Sequence, residues 1–118
     1  MIRPILACHN PYTTAQILVK AGWKLDFSQS PESGDPLVGV SLYGNALLLG
    51  ITEGCVTTKE EAHLGCGVVL YLTVPYEKLS EIHRQHMFLQ PTDIVSQPWG
   101  DVTFEVRVEE YRLMIAGI

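Results

Sequence analysis

The most constraining feature of the sequence is a hairpin pattern over residues 97–117. After a Pro-Trp-Gly turn, apolar residues at Val102, Phe104 and Val106 alternate with polar ones. A polar bend at Glu109-Glu110 then leads into a last apolar strand over 111–116. Alternation with period two, bounded by turn residues, is typical of two antiparallel strands with one face on a core.

The first half of the chain has a similar layout. Its predicted elements are a strand over 2–8, a helix from Pro11 to about Ala21, and strands over 23–28, 37–43 and 46–51, the last two joined by a Gly44-Asn45 turn. The second half is predicted to have a strand over 67–74, a helix from Pro75 to about His86, a weak strand over 93–96 and the hairpin. An offset of 65 residues relates the halves, which pairs Leu49 with Met114.

The repeated layout predicts the α+β class, with two tandem βαβββ modules that form a half-open barrel around a cavity. We expect one domain over residues 1–118, with modules at 1–52 and 66–118 and a connection at 53–65. In the strand that contains Phe104, the alternation directs Thr103 and Glu105 toward the cavity.

Composition excludes several classes of function. A 47% hydrophobic and 18% charged chain is a folded domain, and its net charge of −5 argues against a nucleic-acid partner. No apolar run is long enough to cross a membrane, so no membrane partner is expected. Three cysteines without a signal peptide predict reduced thiols and a cytoplasmic location.

Several short segments resemble one known superfamily. They are the first helix with its Ala21-Gly22-Trp23 end, the Gly-turn and strand over 44–49, and the Trp99-Gly100 turn followed by Tyr111-Arg112-Leu113. These segments resemble the vicinal oxygen chelate superfamily, which includes glyoxalase I, extradiol dioxygenases and the fosfomycin- and bleomycin-resistance proteins. The resemblance implies the glyoxalase/bleomycin-resistance/dioxygenase fold.

The resemblance also implies where a metal would bind. Metal-using members of the superfamily place His, Gln or Glu at four strand positions, which here are Arg3, Leu49, Val68 and Met114. A cation, two hydrocarbons and a thioether do not supply the nitrogen and oxygen donors that such metals need. We therefore expect no metal, no other cofactor and no metal-dependent catalysis.

Without a metal site, the sequence is similar to the metal-free, bleomycin-resistance type of member. This similarity implies a homodimer that sequesters a small amphipathic drug-like molecule, for which a cationic group is one option. Trp99 would stack on the ligand and Glu105 would pair with a cation. The other expected lining residues are Arg3, Leu49, Val68, Leu70, Thr103 and Met114. The alternative for Trp99 is a structural role in the turn. Glu105 could instead be solvated or pair with Arg3, and the apolar residues could fill the cavity completely.

Two other functions are compatible with the same fold. One is an enzyme, lyase, dioxygenase or transferase-like, that uses no metal or binds one through His63, His83 or His86. The other is an interaction module with a filled cavity.

Overall fold

The computed structural model describes residues 2–52 and 56–118, and the chain divides into two compact units, Met1–Leu64 and Gly65–Ile118. Each unit has one four-stranded sheet and a helix that packs on it, so the predicted α+β class with two βαβββ modules is confirmed. The predicted connection at 53–65 begins in residues 53–55, which include Cys55 and lie outside the described residues. No described helix is long and apolar enough to span a membrane.

The elements of the first unit are β1 (Ile5–Cys8), α1 (Pro11–Lys20), β2 (Lys24–Ser28), β3 (Leu37–Leu42), β4 (Asn45–Ile51) and α2 (Thr58–Glu61). Those of the second are β5 (Val69–Val74), α3 (Leu79–Gln85), β6 (Val95–Ser96), β7 (Val102–Val108) and β8 (Tyr111–Gly117). The strand orders are β1-β4-β3-β2 and β5-β8-β7-β6. In both sheets the pair that contains the first strand of the unit, β1–β4 or β5–β8, is parallel, and the other two pairs are antiparallel.

The strand registers of the two sheets are related by an offset of 66 residues. Ile5 pairs with Leu48 in the first sheet, and Tyr71 pairs with Met114 in the second. The hairpin pairs of β3 and β4 reappear in β7 and β8 with the same offset. The predicted offset of 65 is therefore wrong by one residue. Because side chains alternate between faces, this error moves a predicted residue to the opposite face of its sheet.

The position of the first hairpin turn explains the one-residue error in the predicted offset. Its two loop residues are Tyr43 and Gly44, which have φ angles of 46° and 85°, and Leu42 pairs with Asn45. Two positive φ angles are what a two-residue turn between twisted strands requires. The predicted Gly44-Asn45 turn was placed one residue too late. The second turn lies at Glu109-Glu110, as predicted.

Helix α1 begins as its sequence indicates. The side chain of Asn10 accepts hydrogen bonds from the backbone N–H groups of Tyr12 and Thr13, and Pro11 occupies the first helical position. Ala15 and Leu18 are buried against the sheet. The connection from α1 to β2 is short, because β2 begins at Lys24.

The second unit packs its helix around one aromatic side chain. Phe104 of β7 is buried, and its ring makes edge contacts with the rings of His83 and His86 at centroid distances of 4.8 and 5.9 Å. The Nδ1 atom of His86 donates to the carbonyl of Ile82 at 2.7 Å. Burial lowers the pKa of His86, so its ring is held neutral in the core.

Candidate functional site

The second sheet has one face covered by α3. We call the opposite face of this sheet the open face. Phe104 and its neighbours Val106 and Ile115 are on the helix-covered face. Tyr71, Met114 and Glu105 are aligned across three adjacent strands on the open face. This row places an aromatic ring, a thioether and a carboxylate side by side, because partners across strands point to the same side.

A hydrogen-bonded cluster of Tyr71, Trp99 and Asp101 lies at the end of this row. The indole Nε1 of Trp99 donates to the hydroxyl of Tyr71 at 3.0 Å, and this hydroxyl donates to the carboxylate of Asp101. The bond to Asp101 raises the pKa of Tyr71, so the phenol stays protonated. The rings remain accessible, with Trp99 60% and Tyr71 43% exposed. The cluster therefore fixes two exposed aromatic rings in place.

The turn that carries Trp99 is held by its own backbone. The N–H of Gly100 bonds to the carbonyl of Gln97 at 3.0 Å, and the N–H of Gln97 bonds to the carbonyl of Asp101 at 2.8 Å. Gly100 has a φ angle of 105°, which favours glycine. Trp99 is thus presented to solvent on a closed turn rather than buried beneath it.

Glu105 has a charged partner within its own sheet. Its carboxylate lies 2.5 Å from Nε of Arg112, and this contact raises the pKa of the guanidinium. The backbone N–H of Glu105 also bonds to the hydroxyl of Thr92 at 2.8 Å. The sequence had suggested Arg3 as a partner, and the partner that the second unit itself supplies is Arg112. Glu105 retains acceptor capacity, since an ionised carboxylate has about four lone-pair sites.

Thr103 and Met114 complete the open-face residues expected from sequence. Thr103 is 1% exposed, and its hydroxyl accepts a bond from Nε2 of Gln97 at 2.9 Å. Met114 is half-buried between its partners Tyr71 and Glu105. Thr103 therefore supports the turn of Trp99, whereas Met114 offers accessible surface.

The other expected site residues lie elsewhere. Leu49 is fully buried and pairs with Val38 on the helix-covered face of the first sheet, and Leu70 pairs with Leu113 on the helix-covered face of the second. Arg3 precedes β1, and Val68 precedes β5 with 52% of its side chain exposed. The pairing of Leu49 with Met114 followed the 65-residue offset, which the observed register corrects to Leu48 with Met114.

Tyr71, Asp101 and Arg112 are site residues that the sequence interpretation missed. The available signal was the apolar series Leu70, Leu72 and Val74, which alternates with Tyr71 and Thr73. If that series packs against the helix, the side chain of Tyr71 must point to the opposite face of the sheet.

The residues at the positions that the resemblance assigns to a metal have no side chains that fit a divalent metal. With the corrected offset, Met114 corresponds to Leu48 and Arg3 corresponds to Val69. None of these side chains carries a carboxylate, imidazole or thiolate donor. Within the described residues, no group of three or more His, Cys, Asp or Glu side chains is arranged to hold an ion. In addition, Nε2 of His83 donates to the carbonyl of Thr92 at 2.9 Å.

Comparison with known proteins identifies the fold. No protein-family model and no curated protein matches the sequence. Among solved structures, the chain is similar to a bleomycin-binding protein complexed with bleomycin, at 12% identity over 100% of this chain and 98% of that chain, with a TM-score of 0.67. A member of the glyoxalase/bleomycin resistance protein/dioxygenase superfamily from Sphaerobacter thermophilus is 12% identical, with 100% and 97% coverage and a TM-score of 0.73.

A catalytic protein is also among the structural matches. Lactoylglutathione lyase from Agrobacterium tumefaciens is 11% identical over 99% of this chain and 92% of that chain, with a TM-score of 0.67. Identities this low show that the proteins share a fold, but they do not show a shared activity. The chain therefore has the fold of the glyoxalase/bleomycin resistance protein/dioxygenase superfamily, as the sequence resemblance predicted.

Proposed function

We propose that the protein binds a small amphipathic molecule that has a planar apolar part and a cationic group, and that it does so without a metal. The observation that carries this proposal is the cluster of Tyr71, Trp99 and Asp101 on the open face of the second sheet. The structural similarity to a bleomycin-binding protein supports binding as the class of function.

The cluster has the two properties that such a ligand requires. Exposed Trp and Tyr rings that are already fixed lose little conformational freedom when a planar group stacks on them. The carboxylate of Asp101 is hydrogen-bonded to Tyr71 but can accept a further bond from a cation. Met114 lies beside Tyr71 and adapts to irregular ligand shapes.

The ion pair of Glu105 limits how readily a ligand cation can bind to its carboxylate. Its carboxylate is already paired with Arg112, so a ligand cation at this position must compete with the guanidinium. Asp101 is therefore the proposed primary acidic contact, and Glu105 a secondary one. Arg3, Leu49, Val68 and Leu70 have no role in the proposed site.

The test is thermal denaturation with a panel of planar cationic drugs, including bleomycin, and in parallel with divalent metals. A ligand at one hundred times its Kd stabilises the native state by about 2.7 kcal/mol, which is a visible shift in Tm. Trp99→Ala is expected to raise the Kd about tenfold, and Tyr71→Phe to raise it less because the ring remains.

Tyr76→Phe is the matched control for Tyr71→Phe. Tyr76 is 59% exposed and lies near Leu79 on the helix-covered side of the same unit. Its substitution should leave the Kd unchanged. If no drug shifts the Tm, or if Trp99→Ala leaves the Kd unchanged, the proposal is wrong. Shifts with metals alone would favour an enzyme on the same fold.

A further inference from the structure

We infer that the open face of the second unit contains an anion-binding site, formed by Arg107 of β7 and Arg112 of β8, for the carboxylate or phosphate group of a small molecule. The two residues are direct partners in the antiparallel pair of these strands. Side chains of direct partners lie on the same side of a sheet, with Cβ atoms about 4.5–5.5 Å apart. One anion with several oxygen atoms can therefore contact both guanidinium groups.

The burial of the neighbouring residues shows on which face the two arginines lie. Val106 and Val108, which flank Arg107 in β7, are both buried. Because side chains alternate along a strand, Arg107 points away from these residues, to the open face. Arg112 contacts the carboxylate of Glu105, which is on the same face. Both arginines are exposed, so an anion can reach them from solvent.

The two arginines share a single carboxylate. Glu105 contacts Nε of Arg112 at 2.5 Å, which leaves the N–H groups of the two terminal nitrogens of Arg112 for a further acceptor. The acidic turn at Glu109-Glu110 is close in sequence, but none of the ion pairs among the described residues joins it to an arginine, and none includes Arg107. Like charges directly opposite each other in a sheet are unfavourable. An anion between the guanidinium groups reduces this repulsion and accepts charge-assisted hydrogen bonds from both.

The arginine pair lies next to the row that contains Tyr71 and Met114. In the pairing of β5 with β8, Tyr71 is opposite Met114 and Val69 is opposite Arg112. The two rows are two residues apart along each strand, which corresponds to about 7 Å. Val69 is 40% exposed and gives the arginine row an apolar end on the same face. A molecule that lies on Tyr71 and Met114 can therefore extend over Val69 to the arginines.

This placement adds a third group to the ligand of the proposed function. The open-face cluster of Tyr71, Trp99 and Asp101 holds the planar part and the cation, and the arginine pair holds an anion at the other end of the molecule. The assignment of both to one ligand rests on the proposed function, whereas the anion site itself rests on the register and charge of the two arginines. The inferred ligand class is an amphipathic zwitterion.

The test is a fluorescence titration of the full chain with naphthylbutanoate and with naphthylbutanol, which has the same ring and chain but no charge. Naphthylbutanoate should bind about three- to fivefold more tightly, which is the range expected for an exposed charge pair. Added sodium chloride should weaken the binding of naphthylbutanoate and leave that of naphthylbutanol unchanged. Amide chemical shifts of Arg107 and Arg112 should respond to naphthylbutanoate more than to naphthylbutanol.

Arg107→Gln and Arg84→Gln form a matched pair of substitutions. Arg84 is an exposed arginine of α3, on the helix-covered side of the same unit, so both variants lose one positive charge at an exposed position. Arg107→Gln should weaken the binding of naphthylbutanoate about three- to fivefold and leave that of naphthylbutanol unchanged. Arg84→Gln should change neither Kd. Arg107→Lys should retain part of the affinity, because an ammonium keeps the charge but lacks the planar fork of a guanidinium.

The stability of the ligand-free variant separates a binding role of Arg107 from a structural one. Removal of one of two like charges that face each other should leave the Tm of Arg107→Gln unchanged or raise it. A lower Tm of Arg107→Gln together with an unchanged Kd for naphthylbutanoate would mean that the residue has a structural role, and the anion site would be wrong.

A titration with inorganic phosphate, which has no ring, distinguishes the anion site from the proposed function. Phosphate should shift the amide signals of Arg107 and Arg112 equally in the wild type and in Trp99→Ala. If phosphate binds there but neither naphthyl compound binds, the anion site stands and the proposed function fails. If naphthylbutanol binds as tightly as naphthylbutanoate, or if Arg107→Gln and Arg84→Gln have equal effects, the anion site is wrong and the proposed function is unaffected. The anion site is also wrong if neither phosphate nor naphthylbutanoate shifts these amide signals.

Discussion

The buried His86 predicts that the protein becomes less stable as the pH falls below about 6.5. Its side chain is fully buried, and burial lowers its pKa more than the hydrogen bond to the carbonyl of Ile82 raises it. The nearby His83 lowers it further, since two positive rings would repel each other. In the unfolded chain, the same imidazole has its ordinary pKa of about 6.5.

The direction of this pH dependence follows from the number of protons that the native and unfolded states bind. Between the folded pKa and about 6.5, the unfolded chain binds more protons than the native protein, so the free energy of unfolding falls as the pH is lowered. The contribution of His86 is fully present above the unfolded pKa and is lost as the pH falls through the folded pKa. If the native ring stays neutral, the loss reaches at most about 1.4 kcal/mol at pH 5.5 and about 2 kcal/mol at pH 5.0.

The assay is urea unfolding of the wild type and of His86→Asn between pH 5.0 and 8.0. Asparagine keeps an N–H donor for the carbonyl of Ile82 but does not titrate in this range. The variant should be less stable than the wild type above pH 7 by a constant amount, and the difference should shrink below pH 6.5. His63→Asn, at an exposed position, is the control and should retain the wild-type slope. Equal slopes for wild type and His86→Asn would refute the argument.

Three further predictions concern stability. A Cβ at Gly39 would lie 2.4 Å from Cε1 of Phe27, so Gly39→Ala should lower the free energy of unfolding by about 1–3 kcal/mol. In a double-mutant cycle, most of this loss should disappear when Phe27 is replaced by Ala. Gly65→Ala should cost more than Gly67→Ala by urea unfolding: both have positive φ angles, but only at Gly65 would the Cβ lie 2.2 Å from a backbone oxygen. Asn10→Ala should cost about 1 kcal/mol by the same assay, and Asn10→Asp should retain most of the stability, because it keeps the cap acceptor.

The element order and the alternation of β7 could be predicted from sequence because both depend on local patterns. Phe104 contacts the helix, as the alternation of apolar and polar residues in its strand required. In β4 the run Ala46-Leu47-Leu48-Leu49 is apolar at every position, so it contains no signal for which side chains face the helix. The assignment of Leu49 there followed the resemblance and the 65-residue offset, whereas the observed register pairs Leu49 with Val38 on the helix-covered face.

The open-face cluster could not be predicted because its members are distant in sequence. Tyr71 is in β5, whereas Trp99 and Asp101 are in the turn before β7, and only the sheet order brings them together. Trp99 was identified from the resemblance alone. Predicting the ion pair of Glu105 with Arg112 would have required the register of β7 and β8. In that register Arg112 lies directly opposite Arg107, and its side chain reaches Glu105 from there.

The strand order of the second sheet also bears on how the chain folds. The last strand, β8, is internal and lies between β5 and β7. During synthesis, therefore, β5 has no partner of its own sheet until β8 emerges, whereas the first sheet already has all its strands. Loss of only the residues of β8 would expose the edges of two strands at once, which is a situation that favours aggregation.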